Sequence, residues 1–306
     1  MSRAPHRTLS RFLSTATAGM ASLQSVSATR LHGEVGVSLL PHPAKANAGG
    51  EDAYFILEGV SHCLGGGVFD GVGGWASHGI DSGRFSRELA VQASTLLADQ
   101  SVVTAREMEA ALSGSLQGIS TPGSCTACLL CVDCEQAELT VLNLGDSGFR
   151  LFRPVAHPSS PAFELIARSR SQQHYFNCPF QLGTGSADRP RDADRYREAV
   201  RPGDIVVLAT DGVFDNMFDD EIAQVLCEEP SAMTLTEVGS TDADAREDAR
   251  VADGVSTGAS AASLAERIAR KARALSLDEQ RRSPFAIDAL AAGHTISGGK
   301  LDDGMS

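Results

Sequence analysis

Several features that would assign the chain to a large class of proteins are missing from its 306 residues. No apolar run approaches the length of about 18 residues that a membrane-spanning helix needs, so we expect no membrane span. No apolar segment of a secretory signal peptide precedes the seven cysteines, so we expect reduced thiols rather than disulfides. Acidic residues outnumber basic ones, 39 to 26, which argues against nucleic acid as the main ligand.

Acidic side chains are also absent from the start of the chain, where Glu34 is the first. The preceding segment is rich in Arg, Ser and Ala, which is the composition of an organelle transit peptide. We therefore expect residues 1–30 to be a transit peptide, with the mitochondrial matrix as the first choice and the plastid as the alternative. A tail without a targeting role is the other interpretation. Residues 31–306 would then form the folded domain.

Large apolar residues are scarce again in residues 229–260, where Ser, Thr, Ala, Gly and acidic residues dominate. Such a composition predicts a low-complexity insertion that is mostly disordered. Elsewhere apolar residues recur with helical or strand spacing. The predicted helices span residues 82–97 (with Ser82 as the cap), 104–117, 219–228 and 264–275, and the predicted strands span residues 35–40, 52–57, 125–133, 138–144, 149–152, 163–168 and 205–209.

Four cysteines have a regular spacing of three residues, which is typical of a metal-cluster motif: Cys125, Cys128, Cys131 and Cys134. The segment around them has the pattern of a buried strand, however. On a strand, a spacing of three sends successive side chains to opposite faces, so Cys125 and Cys131 would face away from Cys128 and Cys134. We expect packed apolar thiols, with a thiol-ligated cluster as the alternative.

Aspartate follows directly after several predicted strands and is itself followed by a glycine turn. Asp70-Gly71 comes after an apolar run, Asp211-Gly212 repeats the pattern, and Asp146 ends a third strand. Asp302 and Asp303 follow a pair of glycines near the C-terminus. Each Asp alone could be a turn cap, but their recurrence favours one shared site. Carboxylates and backbone carbonyls are ligands for Mg²⁺ or Mn²⁺ rather than for Zn²⁺.

Two further positions have a candidate role near these turns. Glu51 and Asp52 are adjacent at a strand start, where their repulsion needs a cation or hydrogen-bond donors to offset it. Next to Tyr54 and Phe55, we expect them to be partly buried. His78 in the loop after Asp70 could be a catalytic acid, although a loop histidine is more commonly a surface or capping residue.

Eight stretches of the chain resemble metal-dependent protein serine/threonine phosphatases of the 2C type, and within them the compact branch of mitochondria and plastids. One Asp-Gly turn is a weak signal, whereas an ordered set across about residues 34–303 is specific. The matching stretches are residues 50–54, 69–75, 123–127, 143–148, 176–182, 209–216, 283–286 and 298–303.

The resemblance implies an α+β fold, a four-layer αββα sandwich of two antiparallel sheets flanked by helices, with a two-metal centre between the sheets. It implies dephosphorylation of phosphoserine and phosphothreonine in proteins, with two Mg²⁺ or Mn²⁺ ions and a third, weaker ion position. Phosphorylated proteins are the implied partners, and we expect a monomer. The implied catalytic residues are Asp70, Asp211 and Asp302: Asp70 would bridge both ions, the Gly71 carbonyl would bind one, and Asp211 and Asp302 would hold the other.

The remaining site residues have weaker roles. The resemblance implies that Glu51 and Asp52 bind waters held by the metal, and that Asp146, together with Asp215, matches the third ion position. Lys45, in the loop before Glu51, could steady the substrate phosphate as a point charge.

Two departures from the family pattern affect the expected function. Many members carry a proton-donating histidine where this chain has Val72, so water or His78 would have to serve, or the leaving group is unaided. Members also continue past the final acidic pair into a β-branched strand, whereas the sequence ends at Ser306. We therefore expect a truncated last strand, and the alternative function is a catalytically impaired variant that acts as a binding protein or a non-functional isoform.

Overall fold

The computed structural model describes residues 30–57, 62–155, 162–228 and 260–301 and the backbone of residues 304–305. The predicted transit peptide and low-complexity insertion lie almost entirely outside these residues, as do Asp302 and Asp303. The strands of the described part are β1 (Leu39–Leu40), β2 (Ala53–Leu57), β3 (Cys63–Phe69), β4 (Ser124–Cys125), β5 (Ala127–Asp133), β6 (Glu138–Leu144), β7 (Gly148–Val155), β8 (Ala162–Arg168), β9 (Gln173–Tyr175), β10 (Cys178–Pro179), β11 (Leu182–Gly183), β12 (Asp194–Ala199), β13 (Ile205–Ala209) and β14 (Gly304–Met305).

The helices follow the predicted apolar spacing closely. They are α1 (Ser82–Ala98), α2 (Ala105–Gly118), α3 (Asp211–Phe214), α4 (Asp219–Cys227), α5 (Ala261–Ser276) and α6 (Pro284–Ala291), with short 3₁₀ helices at Pro43–Ala48, Gly73–His78 and Pro190–Asp192. The cap of α1 is Asp81 rather than the predicted Ser82, because the Asp81 carboxylate accepts from the Gly83 N–H (3.0 Å). None of the helices within the described ranges has both the length and the apolar character needed to span a membrane.

Two antiparallel sheets form the centre of the fold. The larger has the strand order β12-β6-β5-β3-β2, and the smaller has the order β13-β7-β8. A short ladder joins the ends of the described chain, because Leu39 and Leu40 pair with Met305 and Gly304. Among the residues that the structure describes, only Leu39 and Leu40 of the predicted strand 35–40 pair with another strand.

Three apolar layers hold the sheets and helices together. Helices α1 and α2 pack on the outer face of the larger sheet, with Phe85, Leu89 and Leu112 against Phe55 and Leu129. A second layer joins the two sheets, and a third joins β7 and β13 to helices α4 and α5. The order of layers is therefore helix, sheet, sheet, helix, which confirms the predicted four-layer sandwich.

The four regularly spaced cysteines are divided between two of these layers. Cys125 and Cys131 lie in the layer under α1, and Cys128 and Cys134 lie in the layer between the sheets, which confirms the predicted facing. Burial raises the pKa of the Cys125 and Cys128 thiols, so they stay protonated and are poor metal ligands. The predicted strand through them is wrong in one respect. It is interrupted at Thr126, whose N–H donates to the Asp70 carbonyl (2.9 Å) instead.

Candidate metal centre

The first acidic turn is fixed by contacts on both sides of Asp70. Strand β3 ends at Phe69, and the Asp70 N–H then donates to Thr126 Oγ1 (3.2 Å) while its carbonyl accepts from the Thr126 N–H. The next N–H, of Gly71, donates to the Glu51 carbonyl (3.2 Å). A Cβ on Gly71 would lie 2.7 Å from that carbonyl oxygen, so only glycine fits the close approach of the two chains.

Two other strand ends bring acidic side chains to the same place. Strand β13 ends at Ala209, and Asp211 opens α3. Strand β6 ends at Leu144, and Gly145 takes a positive φ of 106° just before Asp146. One carboxylate oxygen each of Asp70, Asp146 and Asp211 lies within 4.8 Å of the other two. The structure therefore joins three of the predicted ligands, which are far apart in the sequence.

The carboxylate cluster, Asp70 with Asp146 and Asp211, places three acidic side chains close together. At an effective dielectric constant of about 20, each pair of charges at this separation repels by about 3 kcal/mol. Burial, with the charge of Asp211 as the second cause, raises the pKa of Asp146 well above its usual range. Asp146 Oδ1 and Asp211 Oδ1 are buried and accept no hydrogen bond from the described residues. Such orphaned carboxylate oxygens fit a hard divalent cation.

The predicted pair Glu51-Asp52 is buried, as expected, with 6% and 2% of each residue exposed. Asp52 Oδ2 accepts from Thr210 Oγ1 (2.9 Å), the residue before Asp211. Glu51 forms an ion pair with Lys45, which enters from the 3₁₀ helix at Pro43–Ala48. The predicted phosphate ligand and a predicted water ligand therefore lie side by side.

A second lysine lies at the carboxylate cluster, and sequence reasoning missed it. Lys300 Nζ forms ion pairs with Asp211 Oδ2 and with Asp215 Oδ2, the latter at 3.0 Å. Its only signal in the sequence is its position inside the stretch 298–303, two residues before the acidic pair. Sequence reasoning also missed Thr126 and Thr210, whose hydroxyls hold the backbone of Asp70 and the carboxylate of Asp52.

Known proteins similar to this chain match it over most of its length. No protein-family model matches the chain. The chain is 34% identical over 290 residues to probable protein phosphatase 2C 80 of Arabidopsis thaliana, covering 94% of this chain but only 59% of that relative. It is also 34% identical over 266 residues to the protein phosphatase PTC7 homolog of Danio rerio, covering 83% of this chain and 78% of that protein. The chain belongs to the protein phosphatase 2C family.

A solved structure supports the same assignment. The X-ray structure of the photosystem II phosphatase PBCP matches with a TM-score of 0.69 and 27% identity, over 88% of this chain and 95% of that one. The four layers described above are thus the fold of a phosphatase 2C protein, and the carboxylate cluster lies at strand ends of both sheets.

Val72 occupies the position where the family resemblance implies a histidine. The Val72 N–H donates to the Ser124 carbonyl (2.9 Å), and a 3₁₀ helix starts at the next residue. His78 ends that helix as an exposed residue, with its ring 6.0 Å from the ring of Trp75 and its Nδ1 3.1 Å from Ser77 Oγ. No contact links His78 to the carboxylate cluster among the described residues, so its role as an acid stays a prediction.

Proposed function

We propose that the chain is a Mg²⁺- or Mn²⁺-dependent protein serine/threonine phosphatase. The observation that carries this proposal is the carboxylate cluster of Asp70, Asp146 and Asp211, whose oxygens lie within 4.8 Å of one another. Carboxylates and a carbonyl favour Mg²⁺ and Mn²⁺, because Zn²⁺ prefers His and Cys ligands. Two such ions, when bound, neutralise phosphate oxygens and lower the pKa of a water that attacks phosphorus.

In this proposal the chain's own residues orient the ions and the substrate. Asp70 would be a ligand shared by the two ion positions and the Gly71 carbonyl would belong to one of them, while Asp211 and Asp302 would hold the other ion. The hydrogen bonds between Asp70 and Thr126 support this role, since they fix the direction in which Asp70 leaves β3. Asp302 lies outside the described residues, so its part rests on the family resemblance alone.

The outer positions are assigned to the remaining predicted residues. Glu51 and Asp52 would hold waters of the ions, and Asp146 would form the weaker third position. Lys45 would bind a phosphate oxygen of the substrate as a point charge. Its ion pair with Glu51 and its one-third exposed side chain support this role, because the ammonium is held at the site yet open to solvent.

Hydrolysis of p-nitrophenyl phosphate with and without Mn²⁺ tests the proposal. We expect turnover that appears with Mn²⁺, disappears with a chelator and falls about 100-fold or more in Asp70→Asn, because that change removes a charge from both ion positions. Asp99→Asn, at the exposed end of α1, is the matched control and should keep wild-type activity. Folded protein that shows no metal-dependent turnover would favour the alternative of an impaired binding protein.

The protein substrate and the compartment extend the same proposal. We infer phosphorylated proteins as partners, a monomeric enzyme, and an organellar address given by residues 1–30, with the mitochondrial matrix preferred over the plastid. The full chain carrying a C-terminal fluorescent protein should enter the organelle, and the same chain starting at Leu31 should not. If the full chain and the chain starting at Leu31 showed the same distribution in the cell, the N-terminal segment would have no targeting role.

A further inference from the structure

Lys300 is built into the candidate metal centre rather than placed there by a flexible side chain alone. Asn216, which is fully buried, holds the Lys300 backbone from both directions: its Nδ2 donates to the Lys300 carbonyl and its Oδ1 accepts from the Lys300 N–H, both at 2.8 Å. Asn216 itself follows α3, the helix that Asp211 opens. The backbone of Lys300 is therefore fixed relative to Asp211 and Asp215.

The ammonium group of Lys300 lies near two acidic groups and one aromatic ring. It contacts Asp211 Oδ2 and Asp215 Oδ2, and it lies 5.3 Å from the centre of the Phe285 ring. The Phe285 N–H donates to the Asp215 carbonyl (3.0 Å), which ties α6 to the same turn. Only 16% of the Lys300 side chain is exposed, so solvent screens these charges weakly.

This arrangement gives one positive charge to a group of acidic residues that repel each other. The ammonium and a divalent ion would compete for the same oxygen region of Asp211, since both need that carboxylate. A divalent ion bound to Asp211 would also repel the Lys300 ammonium, because both groups are positively charged.

We propose that Lys300 is an internal cation of the metal centre, which holds Asp211 and Asp215 together before a divalent ion binds and which the ion must displace from Asp211. The inference rests on the proposed metal-dependent function and deepens it, because it makes one residue of this chain responsible for how much metal the enzyme needs. Lys300 acts through the carboxylates and is a positioning residue.

Calorimetric titration of the full chain with Mn²⁺ tests this proposal. Lys300→Met and Lys300→Gln should bind Mn²⁺ about tenfold more tightly than wild type, because both remove the competing charge. Lys300→Arg keeps the charge and should stay close to wild type. Lys271→Met removes the same net charge from an exposed site on α5 and should not change Mn²⁺ affinity. Unchanged or weaker binding in both neutral variants would overturn the proposal.

Thermal unfolding separates this role from a merely structural one. Without metal, Lys300→Met should melt below wild type, because the acidic residues lose their internal cation. At saturating Mn²⁺ the difference should shrink or reverse, since the ion then takes over the neutralisation. A loss of melting temperature that is equal with and without Mn²⁺ would contradict the proposal. If Lys300→Met does not fold, Lys300→Gln, which can still donate a hydrogen bond to Asp211, provides the comparison.

Failure of the proposed role of Lys300 can be distinguished from failure of the proposed phosphatase function. Metal-dependent hydrolysis by wild type together with unchanged Mn²⁺ affinity in the neutral variants would reject the role of Lys300 and keep the phosphatase. Tighter binding in these variants without any hydrolysis by wild type would keep the role of Lys300 and reject the phosphatase.

Discussion

Asn216 and Lys300 are joined by two hydrogen bonds of 2.8 Å, one in each direction, although 84 residues separate them in the sequence. The same Asn216 amide also donates to the Gly212 carbonyl (3.0 Å), so one buried side chain links helix α3 to the segment that leads into the final acidic pair. This link holds the backbone of Lys300 near Asp211, with which its ammonium forms an ion pair.

The first prediction concerns that link. Asn216→Ala removes the partners of the Lys300 N–H and carbonyl, and we expect a loss of about 2 kcal/mol or more in the free energy of unfolding. Denaturant unfolding measures it. Gln100→Ala, at the exposed end of α1, removes a comparable amide bond to the Leu96 carbonyl and should cost less than about 0.5 kcal/mol. If the two substitutions lowered the free energy of unfolding equally, the Asn216 hydrogen bonds would contribute no more to stability than an exposed one.

The second prediction concerns the close approach at Gly71. Gly71→Ala places a Cβ 2.7 Å from the Glu51 carbonyl oxygen and 3.0 Å from Ser82, so β3 must shift at Asp70. We expect a loss of about 1–3 kcal/mol in stability and a fall in metal-dependent turnover. Gly74→Ala lies in the same loop with no heavy atom nearer than 4.0 Å, and it should behave as wild type. Full activity of Gly71→Ala would show that Asp70 tolerates the displacement.

The third prediction concerns the hydroxyl that supports Asp52. Thr210→Val keeps the shape but removes the donor of a buried 2.9 Å hydrogen bond to Asp52 Oδ2. We expect the variant to lose about 1–3 kcal/mol of stability, because the buried carboxylate has one donor fewer. Thr95→Val on the exposed face of α1 removes a hydroxyl bond to the Val91 carbonyl and is the matched control. Chemical denaturation of both variants measures the difference. Indistinguishable unfolding curves for Thr210→Val and Thr95→Val would contradict the predicted loss of stability.

The fourth prediction concerns the thiols. Cys125, Cys128, Cys131 and Cys134 are buried in two separate layers, whereas Cys63, Cys178 and Cys227 are half-buried. We expect an alkylating reagent to modify the half-buried three first, and the buried four only after unfolding, because only accessible thiolates react. Peptide mass spectrometry identifies the modified sites. Stoichiometric zinc or iron on elemental analysis would instead support a thiol-ligated cluster.

Much of the site follows from local patterns. Asp70, Asp146 and Asp211 each follow a strand and lie beside a glycine, and the structure brings those three strand ends together as predicted. The sequence also predicts partial burial of Glu51 and Asp52, because the aromatic residues Tyr54 and Phe55 follow them. Such features depend on a few neighbouring residues, which the sequence displays directly.

What could not be predicted depends on partners distant in the sequence. Lys300 reaches Asp211 because Asn216 holds its backbone, and no periodicity marks that contact. Of the predicted strand 35–40, only Leu39–Leu40 pairs within the described residues, and its partner β14 is distant in the sequence. In β13, alternate residues contact two different apolar layers, but Ile205, Val206 and Leu208 are only half-buried, since β13 lies at the edge of its sheet in the described structure.

The most direct test of the account is to locate manganese in a crystal of the full chain by anomalous diffraction at the manganese absorption edge. We predict peaks within bonding distance of the carboxylates of Asp70 and Asp211, with Lys300 Nζ moved away from Asp211 Oδ2. Manganese elsewhere only, or none at these carboxylates while the protein hydrolyses phosphate esters, would contradict the assignment of the carboxylate cluster as the metal centre.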